Sequence, residues 1–236
     1  SERLSALLDA IAEIYASTFG PDPIEYRKER GLIDFQEQMG ILIQEVVGTQ
    51  VGDYYFPTFA GVAFSNNEFR WSSRIKREDG VVRIVAGLGT RAVDRVSNDY
   101  SMLASPGQPG IKVNIKDEDI IKYSQAEIDV LNLKTNNFET KKISDILKAY
   151  GDRIPGIEKV ISINKYGNLT APLGVLWDPQ DSDMVVTFQN LLDHSNFLKE
   201  MDTILKLLHN AFKAPVDVEF ASDGKDLYIL QCRPQS

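Results

Sequence analysis

The sequence predicts a mixed α/β (α+β) protein, a largely antiparallel sheet with helices packed on one face. Three observations carry this expectation. Apolar runs of strand length occupy residues 41–47, 62–65 and 81–86, each bounded by glycine or turn residues. Residues 216–234 hold two alternating runs around Ser222, Asp223 and Gly224, the pattern of a β-hairpin. Apolar residues also recur at helical spacing near both ends of the chain, at Leu4, Leu7, Leu8, Ile11, Ile14 and Tyr15 and again at Leu198, Met201, Ile204, Leu205, Leu208 and Phe212.

The first helix stops at Gly20-Pro21-Asp22-Pro23, a cluster of helix breakers. Pro23 suits the first turn of a second helix through Ile24 to Arg30, closed by Gly31. The run at 41–47 is almost wholly apolar between Gly40 and Gly48 and reads as a buried strand. Gln44 and Glu45 are its polar members, and in a buried strand each needs a side chain, a water or a ligand as partner. The strand at 81–86 runs into Gly87-Leu88-Gly89-Thr90-Arg91-Ala92, which formally matches a dinucleotide-binding fingerprint. Its context fails: no acidic residue ends a following strand at the required distance, and Pro106 and Pro109 interrupt any βαβ unit. The Lys-Ser/Thr of a phosphate loop is missing too. What remains is a glycine loop whose backbone N–H groups can approach something closely.

Residues 112–160 are charged and weakly patterned, with a short strand signal at Val113-Asn114-Ile115 and a helix signal from Ile143 to Tyr150. Lys116 to Asp119 reads as a solvated surface. Asp178, Asp181 and Asp183 cluster after Trp177 but lack the glycine and distal glutamate of a calcium loop, so they read as a surface loop. His194 and His209 are the two histidines, and neither has ligand spacing to a cysteine or to the other, which argues against zinc; His209, between apolar helix positions, reads as structural.

The formal net charge of −8 argues against a general nucleic-acid binder. The lone cysteine, Cys232, fits a reducing compartment and reads as a core residue rather than a nucleophile. With no signal-peptide pattern and no apolar run near the ~20 residues that span a bilayer, the expectation is a cytoplasmic protein with no membrane partner. The opening Ser-Glu-Arg lacks an initiator methionine and suggests a piece of a longer polypeptide.

The C-terminal hairpin carries the candidate chemistry. Alternation puts Asp217 and Glu219 on one face of its first strand, and Gln231 and Arg233 on one face of its second. A loop centred on Lys225 sets Glu219 opposite Gln231. A carboxylate and an amide oxygen suit Mg²⁺, and a guanidinium suits phosphate oxygens. A plain solvated face on an ordinary hairpin gives the same alternation.

Four pieces, in this order, resemble the nucleotide-binding region of the phosphoenolpyruvate synthase and pyruvate phosphate dikinase family, whose fold is the ATP-grasp. They are Tyr26 to Gly31; Ile43 to Val47 followed by Ala60 to Ser65; Gly87-Leu88-Gly89; and Asp217-Val218-Glu219-Phe220 through Leu230-Gln231-Cys232-Arg233-Pro234. The last is the most specific, similar to the family's Asp-Ile-Glu-Trp/Phe … Leu-Gln-x-Arg-Pro signature. Residues 116–185 match poorly and stand as an insert or subdomain within a partial ATP-grasp domain spanning 1–236.

The resemblance implies ATP and Mg²⁺ as cofactors. It places Gln44, Glu45 and Val47 in the segment beside the adenine, Glu219 and Gln231 on the metal, and Arg233 at the phosphate being transferred. It implies an ATP-dependent phosphotransferase acting on pyruvate or phosphoenolpyruvate through a phosphohistidine relay. The family's first lobe, phosphohistidine domain and pyruvate-binding barrel find no counterpart in the sequence, so the chain alone is expected to be inactive. Thr90 stands where many relatives carry glutamate. Two alternatives stay open: the equivalent lobe of a rifampin-type antibiotic phosphotransferase, and a non-catalytic or regulatory module of the same fold.

Overall fold

The computed structural model describes residues 2–34, 40–93, 99–172, 178–180 and 182–235. The chain divides into two units, Ser1–Glu45 and Val46–Ser236.

The first unit holds two helices, α1 (Glu2–Ser17) and α2 (Pro21–Glu29). Pro21 opens α2 at a position where a missing N–H costs nothing. Its end is a Schellman turn: Gly31 sits at φ +67°, Leu32 N–H bonds the Arg27 carbonyl at 2.8 Å, and Gly31 N–H bonds Lys28 at 3.2 Å. The expected apolar stripe of α1 is present but uncovered, with Leu4 and Leu8 more than half exposed. The run at 41–47 departs from expectation. It forms no strand, and Leu42 and Ile43 are 67% and 62% exposed. A continuous apolar run reports that a segment can be buried; it does not supply the neighbour that would bury it, and among the described residues no strand pairs with it.

In the second unit the strands are β1 (Thr49–Val51), β2 (Tyr54–Phe56), β3 (Phe59–Phe64), β4 (Val81–Ala86), β5 (Met102–Ala104), β6 (Glu127–Asn132), β7 (Asn137–Lys142), β8 (Ile161–Lys165), β9 (Asn168–Thr170), β10 (Met184–Val186), β11 (Val216–Ser222) and β12 (Leu227–Pro234). The helices are α3 (Thr90–Val93), α4 (Asp117–Lys122), α5 (Ile143–Tyr150), α6 (Gln189–His194) and α7 (Phe197–Phe212). The principal sheet has the order β12-β11-β3-β4-β5, and every pair in it is antiparallel. Two smaller antiparallel sheets, β1-β2-β6-β7 and β10-β8-β9, accompany it. The fold class is as the sequence predicts. The strand signal at Val113-Asn114-Ile115 is not realised; Ile115 is 82% exposed.

One core joins the sheets. Val216, Val218 and Phe220 of β11, with Phe59 and Ala63 of β3, face Phe197, Leu198, Met201 and Leu205 of α7. Phe197 meets Phe59 edge-on at 5.8 Å and tilts against Phe220 at 5.7 Å. Each large apolar side chain buried there contributes roughly 1.5–3 kcal/mol. Ile128 and Val130 of β6, Ile146 and Leu147 of α5 and Ile161 of β8 belong to the same cluster, so these three elements share the main core.

Gly61 lies in mid-strand where a Cβ would collide with the Arg83 carbonyl and with the Phe220 ring, which it would meet at 2.7 Å. Gly61→Ala is therefore expected to cost about 3 kcal/mol, the upper range for overpacking. A shift in the urea midpoint equivalent to under about 0.5 kcal/mol would show that the sheet yields there instead.

Candidate functional site

The hairpin sets the site. Asp217 pairs with Arg233 and Glu219 with Gln231, as the alternation predicts, but by a different route. The tip is four residues long, between Ser222 and Leu227, and a β-bulge at the Glu219–Phe220 step makes Leu230 an additional residue of β12. The tip is fixed locally. Asp223 Oδ1 accepts the Lys225 and Asp226 N–H groups at 2.9 Å each, and these backbone bonds, the one from Asp226 foremost, hold its carboxyl below the usual range. Gly224 sits at φ +93° against Pro155 and Gly156, and Lys159 Nζ donates to its carbonyl at 2.9 Å.

The principal sheet has two unlike faces. One is the core beneath α7. The other carries the alternate residues: Asp217 and Glu219 on β11, Gln231 and Arg233 on β12, Val62 and Phe64 on β3, Arg83 on β4. Val62 is 4% exposed and packs with Val85, Phe64 and Ala92 of α3. Glu219 and Arg83 are half-buried; Gln231 and Arg233 are exposed. Arg233 Nε donates to both oxygens of Asp217, at 2.9 and 3.1 Å, and Asp217 is nearly buried while Arg233 is 58% exposed. The hydrogen bond to Asp217 keeps the Arg233 guanidinium above its ordinary pKa. Asp217 thus anchors Arg233 from below, a role the sequence reading did not assign.

Cys232, between Gln231 and Arg233, turns to the core side and is half-buried; burial pushes its thiol up, which fits packing rather than nucleophilic chemistry. His209 Nδ1 lies 3.4 Å from Ser65 Oγ on the α7 side of the sheet. Asp183 accepts from Asn164 Nδ2 at 2.7 Å and Asp178 from the Gln180 N–H at 2.9 Å, local loop contacts; Trp177 and Asp181 lie outside the described residues.

The glycine loop is closed on protein. Leu88 N–H bonds the Asp129 carbonyl of β6 at 3.0 Å, and a Cβ on Gly87 would meet that same oxygen at 2.8 Å. The close approach expected of this loop is thus made to β6. Thr90 Oγ1 donates to Asp129 Oδ2 at 2.6 Å, and Thr140 Oγ1 to Oδ1 at 2.6 Å. Arg91, 8% exposed, pairs with Asp129 at 3.1 Å, Asp99 at 3.1 Å and Glu127 at 2.8 Å. Burial pushes the Asp129 carboxyl up, but the bonds from Thr140, Thr90 and Arg91 outweigh it and hold it below the usual range.

Gln44 and Glu45 are exposed and belong to the first unit; Val47 is half-buried in the second. Their reading as polar members of a buried strand is corrected accordingly. Val46 offers its carbonyl to Tyr55 Oη at 3.0 Å, and Gly48 passes so close to the Phe56 backbone that a Cβ would lie 2.6 Å from it. Arg83 is the one charged residue of the otherwise apolar β4.

Fold and hairpin together define an ATP-grasp-like lobe, an antiparallel sheet with α7 on the core side and, on the other face, the charged residues beside α3. The family model for the pyruvate phosphate dikinase AMP/ATP-binding domain matches residues 2–236, and the chain belongs to that family. It is an ATP/AMP-binding lobe of pyruvate phosphate dikinase-type enzymes. A comparison with curated proteins finds no match. Among the described residues no helix is long and apolar enough to cross a membrane.

Proposed function

We propose that the charged face of the principal sheet is the phosphate side of an ATP site in a phosphotransferase acting on pyruvate or phosphoenolpyruvate through a phosphohistidine relay. The observation that carries this reading is the hairpin register: Glu219 opposite Gln231, beside an Arg233 held by Asp217. Glu219 and Gln231 offer hard oxygen donors from directly paired positions, a donor set that fits Mg²⁺, which takes few protein ligands and completes its shell with phosphate oxygens and water. Among the described residues no group of three or more His, Cys, Asp or Glu could hold a metal unaided, so sharing with phosphate is the mode this face suits. Bound there, Mg²⁺ would supply neutralisation of phosphate charge.

Arg233 would stabilise the phosphoryl group in transfer. Its Nε is the atom Asp217 holds, so Nη1 and Nη2 are the donors a phosphate would take. Phosphoryl transfer asks for positioning and charge stabilisation more than for a strong base, and these residues offer both. Gln44, Glu45 and Val47 would border the adenine, on family resemblance. An opposing ATP-grasp lobe and a phosphohistidine domain would be the partners of this wall, within the cytoplasm.

A second reading, a non-catalytic module of the same fold, draws on Thr90. Where many relatives carry glutamate, this threonine is hydrogen-bonded to Asp129. Isothermal titration of the chain with Mg·ATP tests the half-site reading. Weak binding is expected, because one wall alone contributes; a Kd tighter than about 1 µM (about −8 kcal/mol) would contradict it.

A further inference from the structure

We infer that the cavity at the β5 edge of the principal sheet is a binding site for a neutral nucleobase, separate from the charged face. The cavity measures about 340 Å³, within the range of small-molecule sites. Ala104 of β5, Ile120 of α4 and Leu198 of α7 form a buried apolar floor. Tyr100 and Tyr123 stand exposed at the rim, edge-on at 5.2 Å, and give a flat ring an aromatic flank. β5 lies four strand spacings, about 19 Å, from β12, so a ligand here leaves Glu219, Gln231 and Arg233 untouched.

The polar groups of the lining select the class of ligand. In β4 the N–H and C=O of Ala86 both point to the β5 side, where the Gln125 carboxamide takes them at 2.8 and 3.0 Å. Alternation turns Ile84 and Val82 the same way, onto Met102 and Ala104, and leaves the Leu103 N–H and C=O facing outward. Among the described residues nothing pairs with them. Leu103 thus presents the same donor and acceptor that Gln125 satisfies at Ala86. The lactam edge of a 6-oxopurine carries the N–H and C=O of that carboxamide on a flat ring.

Two side-chain amides complete the set. The Ser162 hydroxyl donates to Gln189 Oε1 at 3.2 Å, so the buried Thr187 hydroxyl, 2.7 Å from Ser162 Oγ, donates in turn to Ser162. This chain engages the Gln189 oxygen and leaves its Nε2 protons for an acceptor on a ligand. Asn114 is half-buried, and its side chain has no hydrogen-bond partner among the described residues. Carboxamides of this kind read nucleobase edges, where donor and acceptor lie side by side. Lys112, the charged residue of the lining, is taken up by Asp193 at 2.6 Å, so a neutral ligand suits the cavity.

The test is a titration of the ¹⁵N-labelled chain with inosine, following main-chain and side-chain amide signals by NMR. The Leu103 N–H and the Gln189 and Asn114 side-chain signals should move along one saturation curve, with a Kd on the order of 0.1 mM for a ligand of this size. 1-Methylinosine, which lacks the lactam N–H, should bind about tenfold more weakly. Asn114→Ala should keep the wild-type urea midpoint and weaken inosine about fivefold. Mg²⁺ with tripolyphosphate should leave bound inosine in place. The inference is overturned if those three signals stay still, or if either 1-methylinosine or the Asn114→Ala chain binds as tightly as the wild-type pair. Displacement by tripolyphosphate also overturns it, since inosine would then occupy the charged face. The wild-type titration decides even if the variant fails to fold.

Discussion

Asp129→Asn is expected to remove about 3 kcal/mol of stability at neutral pH, the lower end of the cost of breaking a buried ion pair. Asp129 and Arg91 are both more than nine-tenths buried, and the carboxylate also takes the hydroxyls of Thr90 and Thr140. The neutral amide leaves Arg91 with Asp99 and Glu127, which is why the lower figure applies. The pH dependence has a definite sign. A carboxyl held lower in the folded chain than its unfolded value of about 3.9 adds stability fully above that value and loses it as pH falls through the folded one. Urea unfolding of the two proteins should therefore differ by a constant amount near neutrality and converge below about pH 4. A gap under about 1 kcal/mol at pH 7, or one that persists undiminished into acid, would rule this network out as a main tie between α3 and β6.

Arg233→Ala, in the whole phosphotransferase, is expected to lower turnover by about 10²–10³-fold while changing the Kd for Mg·ATP far less. The asymmetry follows from the role proposed: a donor aimed at charge that develops during transfer contributes little to the bound ground state. Because Asp217 holds Nε, the guanidinium is oriented before nucleotide arrives, and little ordering remains to be done at the moment of reaction. Single-turnover transfer and equilibrium binding measured on the same variant separate the two effects. Wild-type turnover in the variant would remove Arg233 from the mechanism, and a parallel loss of both would make it a binding residue.

The principal sheet and its helix were legible because their signals are local. The apolar run at 81–86 matches β4 residue for residue, and the stripe from Leu198 to Leu208 lies on α7. That Asp217 shares a face with Glu219, and Gln231 with Arg233, was legible for the same reason, but the register was not: the tip is shorter than a loop centred on Lys225 requires, and the bulge at Leu230 restores the pairing. Residues 41–47 misled because hydrophobicity there stood in for a partner strand that composition cannot name. The Arg91–Asp129 network was out of reach: its members are 38 positions apart and meet only because β6 packs beneath the glycine loop.

The bulge at Leu230 has a bearing on how such lobes diversify. Without it, a four-residue tip would bring Leu230 opposite Glu219 and turn Gln231 toward the interior beside Val218. A tip one residue longer with a regular ladder would restore the present pairing equally well. Tip length and ladder regularity are thus interchangeable: both arrangements leave the same stretch, residues 220–230, between Glu219 and Gln231, so a bulge can be traded for a longer tip with no insertion or deletion. Descendants of one ancestor can therefore differ in where the strands end and the tip begins and still present the same three side chains.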